Sequence, residues 1–310
     1  MRIAIIGAGG VGGYLAHRLA AAGEEVAVLA RGPHLAAIRE RGLTLADDHA
    51  GEAAVRPALA TDDGGEIGPA DLAVFTVKGQ DMAGAIEAAR PVMAGGGHAL
   101  SFLNGVEGPG MLADTFGRSR ALQGIARISA LIEAPGRVRK VTRFARFLIG
   151  DMDGRQDRAP VPAIRETFAA AGIDAPDCAD VCVELWMKAV QLTTLAAITA
   201  GARCDIATAR ATPELMELAA TLVAEAAGVA RACGIRLPDD SEKTTLASLE
   251  KLPDGMRASL AHDLAAGKRL ETDWLSGAVA RLGAEAGVAT PAHRMVAALL
   301  APYRDGAAPG

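Results

Sequence analysis

The residues best suited to chemistry begin at position 7. A glycine-rich run, Gly7, Ala8, Gly9, Gly10, Val11 and Gly12, follows a short apolar run at residues 3–6 and precedes a small-residue stretch at 11–22. A strand that turns sharply into a helix makes a cradle for a pyrophosphate. Gly7 allows the tight turn, Gly9 allows close backbone approach, and Gly12 allows helix and strand to pack. The helix N-terminus then faces the phosphates with free N–H groups and a favourable dipole. Glycine is common here, 36 of 310 residues, so the motif gains its weight from the strand before it, the helix behind it and a second strand at 25–30. That second strand ends Val28-Leu29-Ala30-Arg31-Gly32, without the Asp or Glu that an NAD site uses for the ribose 2′-hydroxyl. Arg31 offers a planar guanidinium where a 2′-phosphate would sit, which favours NADP(H) over NAD(H). The plainer alternative is an exposed arginine opening a helix.

Other candidates lie further along. Lys78 follows Phe75-Thr76-Val77, and Asn104-Gly105 follows Leu100-Ser101-Phe102-Leu103. Both sit just past strand ends, where they either line the nicotinamide half of a cleft or serve as a helix-cap lysine and a turn dipeptide. Lys188 heads an apolar helical run, so it either snorkels to solvent or faces a cleft. Glu271 also reads as a first-turn carboxylate at a helix N-terminus. His262 and Asp263 are neighbours on a helix and point in different directions, which makes them surface or cleft-wall residues. The cysteines (Cys178, Cys182, Cys204, Cys233) have neither CxxC nor zinc-ligand spacing and read as small buried residues in a reducing compartment. No metal cluster is visible.

The elements that position these residues change character along the chain. Strands at 71–77 and 98–102 alternate with a helix at 81–93, and a polar, glycine-rich stretch occupies 47–69. This βαβ rhythm implies a doubly wound parallel sheet. Residues 122–132 and 138–149 read as two strands around a turn at 133–136, pairing antiparallel at the edge of that sheet. A helix at 161–171 and an extended piece near Ile173 close the first domain, residues 1–177. From 178 to 310 almost every signal is helical: 180–201, 213–233, 256–266, 270–286 and 290–301. Thr212-Pro213 and Thr290-Pro291 read as N-cap plus first-position pairs, and 305–310 as a frayed tail. The expectation is an α/β fold, an N-terminal Rossmann-type sheet with a C-terminal all-helical domain for substrate and dimerisation. Cofactor and substrate should meet in the crevice outside the carboxyl ends of the strands.

Bulk properties narrow the function. At 310 residues two domains are expected, and the composition is 50% hydrophobic with only 3% aromatic, which suits closely packed alanine-rich helices. A net charge of −5 gives no support for a nucleic-acid or membrane-surface partner. Arg2 before an apolar stretch resembles the start of a signal peptide, but strand, turn and helix explain that stretch better. The longest later apolar run, 189–202, is shorter than the roughly 20 residues a membrane span needs. A soluble, cytoplasmic protein is expected.

The ordered set of motifs resembles the ketopantoate reductase family over nearly the whole chain. It comprises GAGGVG, the Leu-Ala-Arg ending at Arg31, the Val-Lys at Lys78 and the Asn-Gly-Val at Asn104. It continues with Ile128-Ser129-Ala130 before a Glu-x-Pro-Gly turn, the Trp-x-Lys at Lys188, Ser259 twelve residues before Glu271, and the Gly-Val-Ala-Thr-Pro ending at Pro291. The resemblance implies NADPH-dependent reduction of 2-dehydropantoate to pantoate, in pantothenate biosynthesis. It implies that Lys188 is the proton donor and that Arg31, Lys78, Asn104, Ala130 and Glu271 contact NADPH. Asn104, Lys188 and Ser259 would then bind the substrate. Glu271 could orient Lys188 and hold up its pKa.

The chain also departs from the family. In the well-known reductases, asparagines of the substrate pocket stand four and eight residues after the catalytic lysine. Here those positions are Leu192 and Ala196. Each lost hydrogen bond is worth about 0.5–1.5 kcal/mol, so recognition of 2-dehydropantoate is in question while the hydride chemistry is not. Two alternatives therefore stand beside pantoate formation: reduction of a more apolar 2-oxo acid or ketone, and a non-catalytic NADP(H)-binding sensor. The expected partner is a small-molecule 2-oxo acid; apolar helical domains of this kind often bury surface in a homodimer, and the sequence does not fix the oligomeric state.

Overall fold

The computed structural model describes residues 1–306; residues 307–310 of the expected frayed tail lie outside the described residues. The chain divides into two compact units. The first comprises Met1–Leu103 and Gly108–Cys182; the second comprises Asn104–Glu107 and the chain from Val183 onward.

The first unit begins with β1 (Arg2–Ile6), α1 (Gly10–Ala21), β2 (Glu25–Leu29), α2 (Gly32–Arg41), β3 (Leu43–Asp47), β4 (Gly51–Val55), β5 (Leu59–Thr61) and α3 (Gly64–Ile67). It continues with β6 (Leu72–Phe75), a 3-10 turn (Gly79–Asp81), α4 (Met82–Ala88), β7 (His98–Ser101), α5 (Gly108–Phe116), β8 (Ala121–Arg127) and β9 (Ala130–Ala134). It ends with β10 (Arg137–Lys140), β11 (Arg146–Asp151) and α6 (Val161–Ala170). Seven strands form one sheet in the order β11-β8-β7-β6-β1-β2-β5, all parallel except β11, which runs antiparallel to β8. This is the Rossmann order with one antiparallel edge.

A second, four-stranded sheet in the order β4-β3-β10-β9 departs from the sequence reading. The stretches read as single strands at 122–132 and 138–149 are each two strands, and each crosses from one sheet to the other. At the crossing, the Val141 N–H donates to the Ser129 carbonyl (2.8 Å) and the Ser129 N–H donates to the Thr142 hydroxyl (3.0 Å). The stretch at 47–69, read as polar connection, contains β4, β5 and α3. Helix α1 lies between the two sheets: Leu15 and Leu19 pack with Ile3, Val26 and Val28 as well as with Leu43, Leu45 and Val138. A Cβ on Gly13 would meet Val138 Cγ2 at 2.5 Å, so small residues along α1 admit the second sheet. The scarce aromatics gather under the large sheet, where Phe147 stacks on Tyr14 (5.9 Å) and meets Phe102 edge-on (5.1 Å).

The second unit is helical: α7 (Val181–Gly201), α8 (Ile206–Arg210), α9 (Pro213–Ala232), α10 (Ser241–Glu250), α11 (Ser259–Ala265), a 3-10 turn (Thr272–Trp274), α12 (Ser276–Glu285) and α13 (Pro291–Leu300). By length and composition α7 could cross a bilayer, but 61% of its apolar window is buried. Leu195, Ala196 and Ile198 pack with Leu222, Leu249 and Leu260, and Trp186 and Val190 with Val223, Ala226 and Val279. Alanines at these contacts let helix backbones approach closely. The expected caps are half right. Thr212 and Thr290 do occupy N-cap positions before prolines, yet neither hydroxyl caps its helix. At α13 the buried Glu225 of α9 does so instead, accepting from the Ala292 and His293 N–H groups at 2.9 and 3.0 Å. The cysteines also differ from expectation: Cys178, Cys182 and Cys204 are half-buried and Cys233 is exposed, all as free thiols.

Candidate active site

In the first unit, the turn from β1 into α1 opens a cavity of about 640 Å³. Gly7, Ala8 and Gly9 form one wall. Arg31 and His34 of the β2–α2 junction, Thr76, Val77 and Lys78 after β6, and Gln80 and Asp81 of the following turn form the others, with Ile132 of β9 at the edge. Gly7 has φ +98°, a left-handed conformation that favours glycine. Its carbonyl accepts from the Thr76 hydroxyl at 2.6 Å, which ties the loop to the end of β6. Gly12 packs so tightly that a Cβ would lie 2.0 Å from the Gly7 carbonyl oxygen. Above Gly9 the space is open. Gly10 and Val11 begin α1 with no acidic residue in the first turn, and the Ala130 carbonyl oxygen would lie 2.0 Å from a Cβ on Gly10.

The cavity fits a nicotinamide dinucleotide. A helix of twelve residues presents its N-terminus to it, Arg31 and Lys78 supply positive charge, and a buried polar atom at its wall, Gln80 Oε1, has no protein partner. His34 Nδ1 accepts from the Gly136 N–H at 3.0 Å, which puts the ring proton on Nε2, and burial pushes its pKa below the ordinary value. His34, Thr76, Gln80, Asp81 and Ile132 were not among the sequence candidates. One expectation needs correcting. The end of β2 has no carboxylate, but Asp81 brings one from fifty residues away, and Arg31 Nη2 donates to Asp81 Oδ1 at 3.1 Å.

In the second unit, Lys188 and Asn104 meet. Lys188 Nζ on α7 donates to Asn104 Oδ1 at 3.2 Å, and both residues are half-buried. Asn104 belongs to a short strap, Asn104–Glu107, that is fixed at two further points. Gly105 (φ +84°) lies so close to the Trp274 carbonyl that a Cβ would approach to 2.5 Å. Glu107 forms a fork with Arg281 of α12, at 2.7 and 2.9 Å from Nη2 and 3.2 Å from Nε. Neither Glu107 nor Arg281 stood out in the sequence. Of the remaining candidates, Glu271 is buried just before the 3-10 turn at Thr272, and Ser259 is exposed at the start of α11. His262 is exposed beside half-buried Asp263. Among the described residues no group of three or more His, Cys, Asp or Glu is placed to hold a metal ion.

A family model described as Ketopantoate reductase PanE/ApbA matches residues 3–154, and its C-terminal counterpart matches residues 180–304. The chain belongs to the ketopantoate reductase family. As a ketopantoate reductase family member it is an oxidoreductase acting on CH–OH groups, with a small-molecule substrate and a nicotinamide cofactor. It is 29% identical to the 2-dehydropantoate 2-reductase of Mesorhizobium japonicum over 321 residues, covering 97% of each chain. A crystal structure of a PanE/ApbA family ketopantoate reductase from Ralstonia eutropha JMP134 superposes with a TM-score of 0.89 at 30% identity, covering 98% of each chain. D-Mandelate dehydrogenase, in a ternary structure with NADH and anilino(oxo)acetate, shares this chain's fold at 22% identity, with a TM-score of 0.88 over 98% of each chain.

Proposed function

We propose that this protein is an NADPH-dependent reductase of 2-oxo acids that converts 2-dehydropantoate to pantoate, with Lys188 as proton donor. The observation that carries this reading is the Lys188–Asn104 hydrogen bond, which holds an ammonium group in a fixed direction. Arg31 would hold the cofactor's 2′-phosphate, Lys78 would line its nicotinamide half, the N-terminus of α1 would hold its pyrophosphate, and Ala130 would line the cradle behind Gly10. Glu271 and Ser259 are assigned to the cofactor and the substrate by their family positions. The bound nicotinamide supplies a hydride to the carbonyl carbon. Reduction also needs a proton at the carbonyl oxygen, and the lysine ammonium is a donor with three N–H groups. As negative charge builds on that oxygen, Lys188 stabilises it, gives up a proton and is left as a neutral amine that solvent reprotonates. Asn104, by accepting one Lys188 hydrogen bond, sets where the ammonium points. A cytoplasmic homodimer acting in pantothenate biosynthesis is the setting that accompanies this activity.

A second reading rests on α7. Where the family's pocket asparagines would stand, Leu192 is half-buried against the apolar core and Ala196 is 1% exposed within it. A more apolar 2-oxo acid is therefore the competing substrate. The test is NADPH oxidation by the purified protein with 2-dehydropantoate and with a panel of apolar 2-oxo acids, beside Lys188→Ala. The expected outcome is turnover of 2-dehydropantoate that falls about 10²–10⁴-fold in the variant, the range of general-acid contributions. Turnover confined to apolar oxo acids would favour the second substrate. Full activity of the variant would remove Lys188 from the chemistry.

A further inference from the structure

The Arg31–Asp81 pair bears on cofactor choice. We propose that Asp81 opposes the 2′-phosphate preference that Arg31 confers, so that the cradle accepts NADH as well as NADPH. This rests on the reading of the cavity as the dinucleotide site and of Arg31 as its 2′-phosphate ligand. Both side chains line the same cavity, and the guanidinium reaches the carboxylate at 3.1 Å. The two partners differ in how firmly they are held. Asp81 closes the 3-10 turn after Lys78, with its N–H on the Lys78 carbonyl at 2.9 Å, and its side chain is 25% exposed. Arg31 is 80% exposed on a long side chain. The carboxylate is the fixed partner, and the guanidinium comes to it.

A 2′-phosphate arriving at Arg31 carries about −1.5 to −2 charges, as phosphate monoesters do near neutral pH. It must compete with Asp81 for the guanidinium and accept a like charge nearby. A ribose 2′-hydroxyl meets the opposite situation, because it can donate to the carboxylate. Asp81 therefore does from the β6 side what an acidic residue at the end of β2 does in an NAD site. Arg31 favours one cofactor and Asp81 the other. His34, which lines the same cavity and accepts from the Gly136 N–H through Nδ1, adds no carboxylate to either side of this balance.

The test is direct binding, followed by reduced-nicotinamide fluorescence without any oxo acid, of NADPH and NADH to the wild-type chain and to Asp81→Asn, Asp81→Ser and Arg31→Ala. Removing the carboxylate's charge is expected to tighten NADPH by about threefold to tenfold and to weaken NADH about threefold or more, as befits an ion pair whose guanidinium is largely exposed. Asp81→Ser should move the ratio the same way, which guards against a folding defect peculiar to one variant. In an Arg31→Ala background the Asp81→Asn effect on NADPH should shrink, because part of it acts through the arginine. An NADPH-to-NADH ratio that stays within about twofold in both Asp81 variants, or moves toward NADH, would overturn the proposal while leaving Arg31 its role. NADPH affinity insensitive to Arg31→Ala would instead overturn the assignment of Arg31. Binding of neither dinucleotide would remove the cradle reading and this inference with it.

Discussion

Lys188 and Asn104 owe their suitability for chemistry to their neighbours rather than to their types. Lys188 rises from a helix that is mostly apolar, and its hydrogen bond to Asn104 ties the ammonium to the strap. Leu192 and Ala196, one and two turns further along α7, are not equivalent sites for restoring polarity. Leu192 is half-buried, so an amide there can reach solvent or a substrate. Ala196 is sealed among leucines, and an amide buried there without partners costs about 1–3 kcal/mol. Leu192→Asn is accordingly expected to raise kcat/KM for 2-dehydropantoate by about threefold to tenfold, the worth of one hydrogen bond. Ala196→Asn is expected to lower Tm by several degrees, of order 4 °C per kcal/mol or somewhat less for a chain of this size, without that gain. Steady-state kinetics and a thermal melt on each variant check both. An unchanged kcat/KM in Leu192→Asn would mean that the missing asparagine does not limit this substrate.

At the scale of elements, the strap Asn104–Glu107 is held at both ends, by Gly105 against Trp274 and by the Glu107–Arg281 fork. Arg281→Ala removes the fork without touching Lys188 or Asn104. It is expected to lower kcat about threefold to tenfold, because small displacements of a positioned group slow chemistry steeply. Arg281→Lys, which keeps the charge but not the planar fork, should recover only part of the loss. A structural role alone would shift Tm in both variants and leave kcat of the folded fraction intact. Local pattern announces some of these elements and hides others. The β1–Gly7–α1 unit is legible because the period changes at the glycines. The point where two β-rich runs change sheets is not, because Ile128-Ser129-Ala130 and Val141-Thr142 look like continuous strand. The three residues of β5 are too few to stand out. Partners such as Asp81 for Arg31 and Arg281 for Glu107, 50 and 174 residues apart, leave no local mark at all. Lys78, Asn104 and Lys188 could be singled out as candidates because they sit at strand ends or interrupt an apolar run, while the roles proposed for them come from the family resemblance.

The whole molecule carries four histidines that folding buries in part or in full. His17, His34, His98 and His293 all have pKa values pushed below normal, in each case chiefly by burial. His293 is the extreme case, fully buried between the Leu222 carbonyl and the Ser276 hydroxyl. In the unfolded chain these rings take up protons near pH 6.5, whereas the folded protein resists doing so. Their contribution is therefore fully present above about pH 6.5 and is lost as pH falls from there toward the lower folded-state values. Thermal melts between pH 7.5 and 5 are expected to show Tm falling before carboxylates begin to titrate. His293→Gln should flatten that slope, and a slope unchanged in this variant would place the acid sensitivity elsewhere. The strap has one more consequence, for the inheritance of the chain. Its four residues are encoded in the middle of the first unit yet fold as part of the second. A gene cut at residue 182 and joined to a relative's second half would pair one parent's Glu107 with the other parent's residue at position 281. Crossovers between family members should therefore survive best where that charge pair is shared, and the two halves are free to recombine only as far as this splice allows.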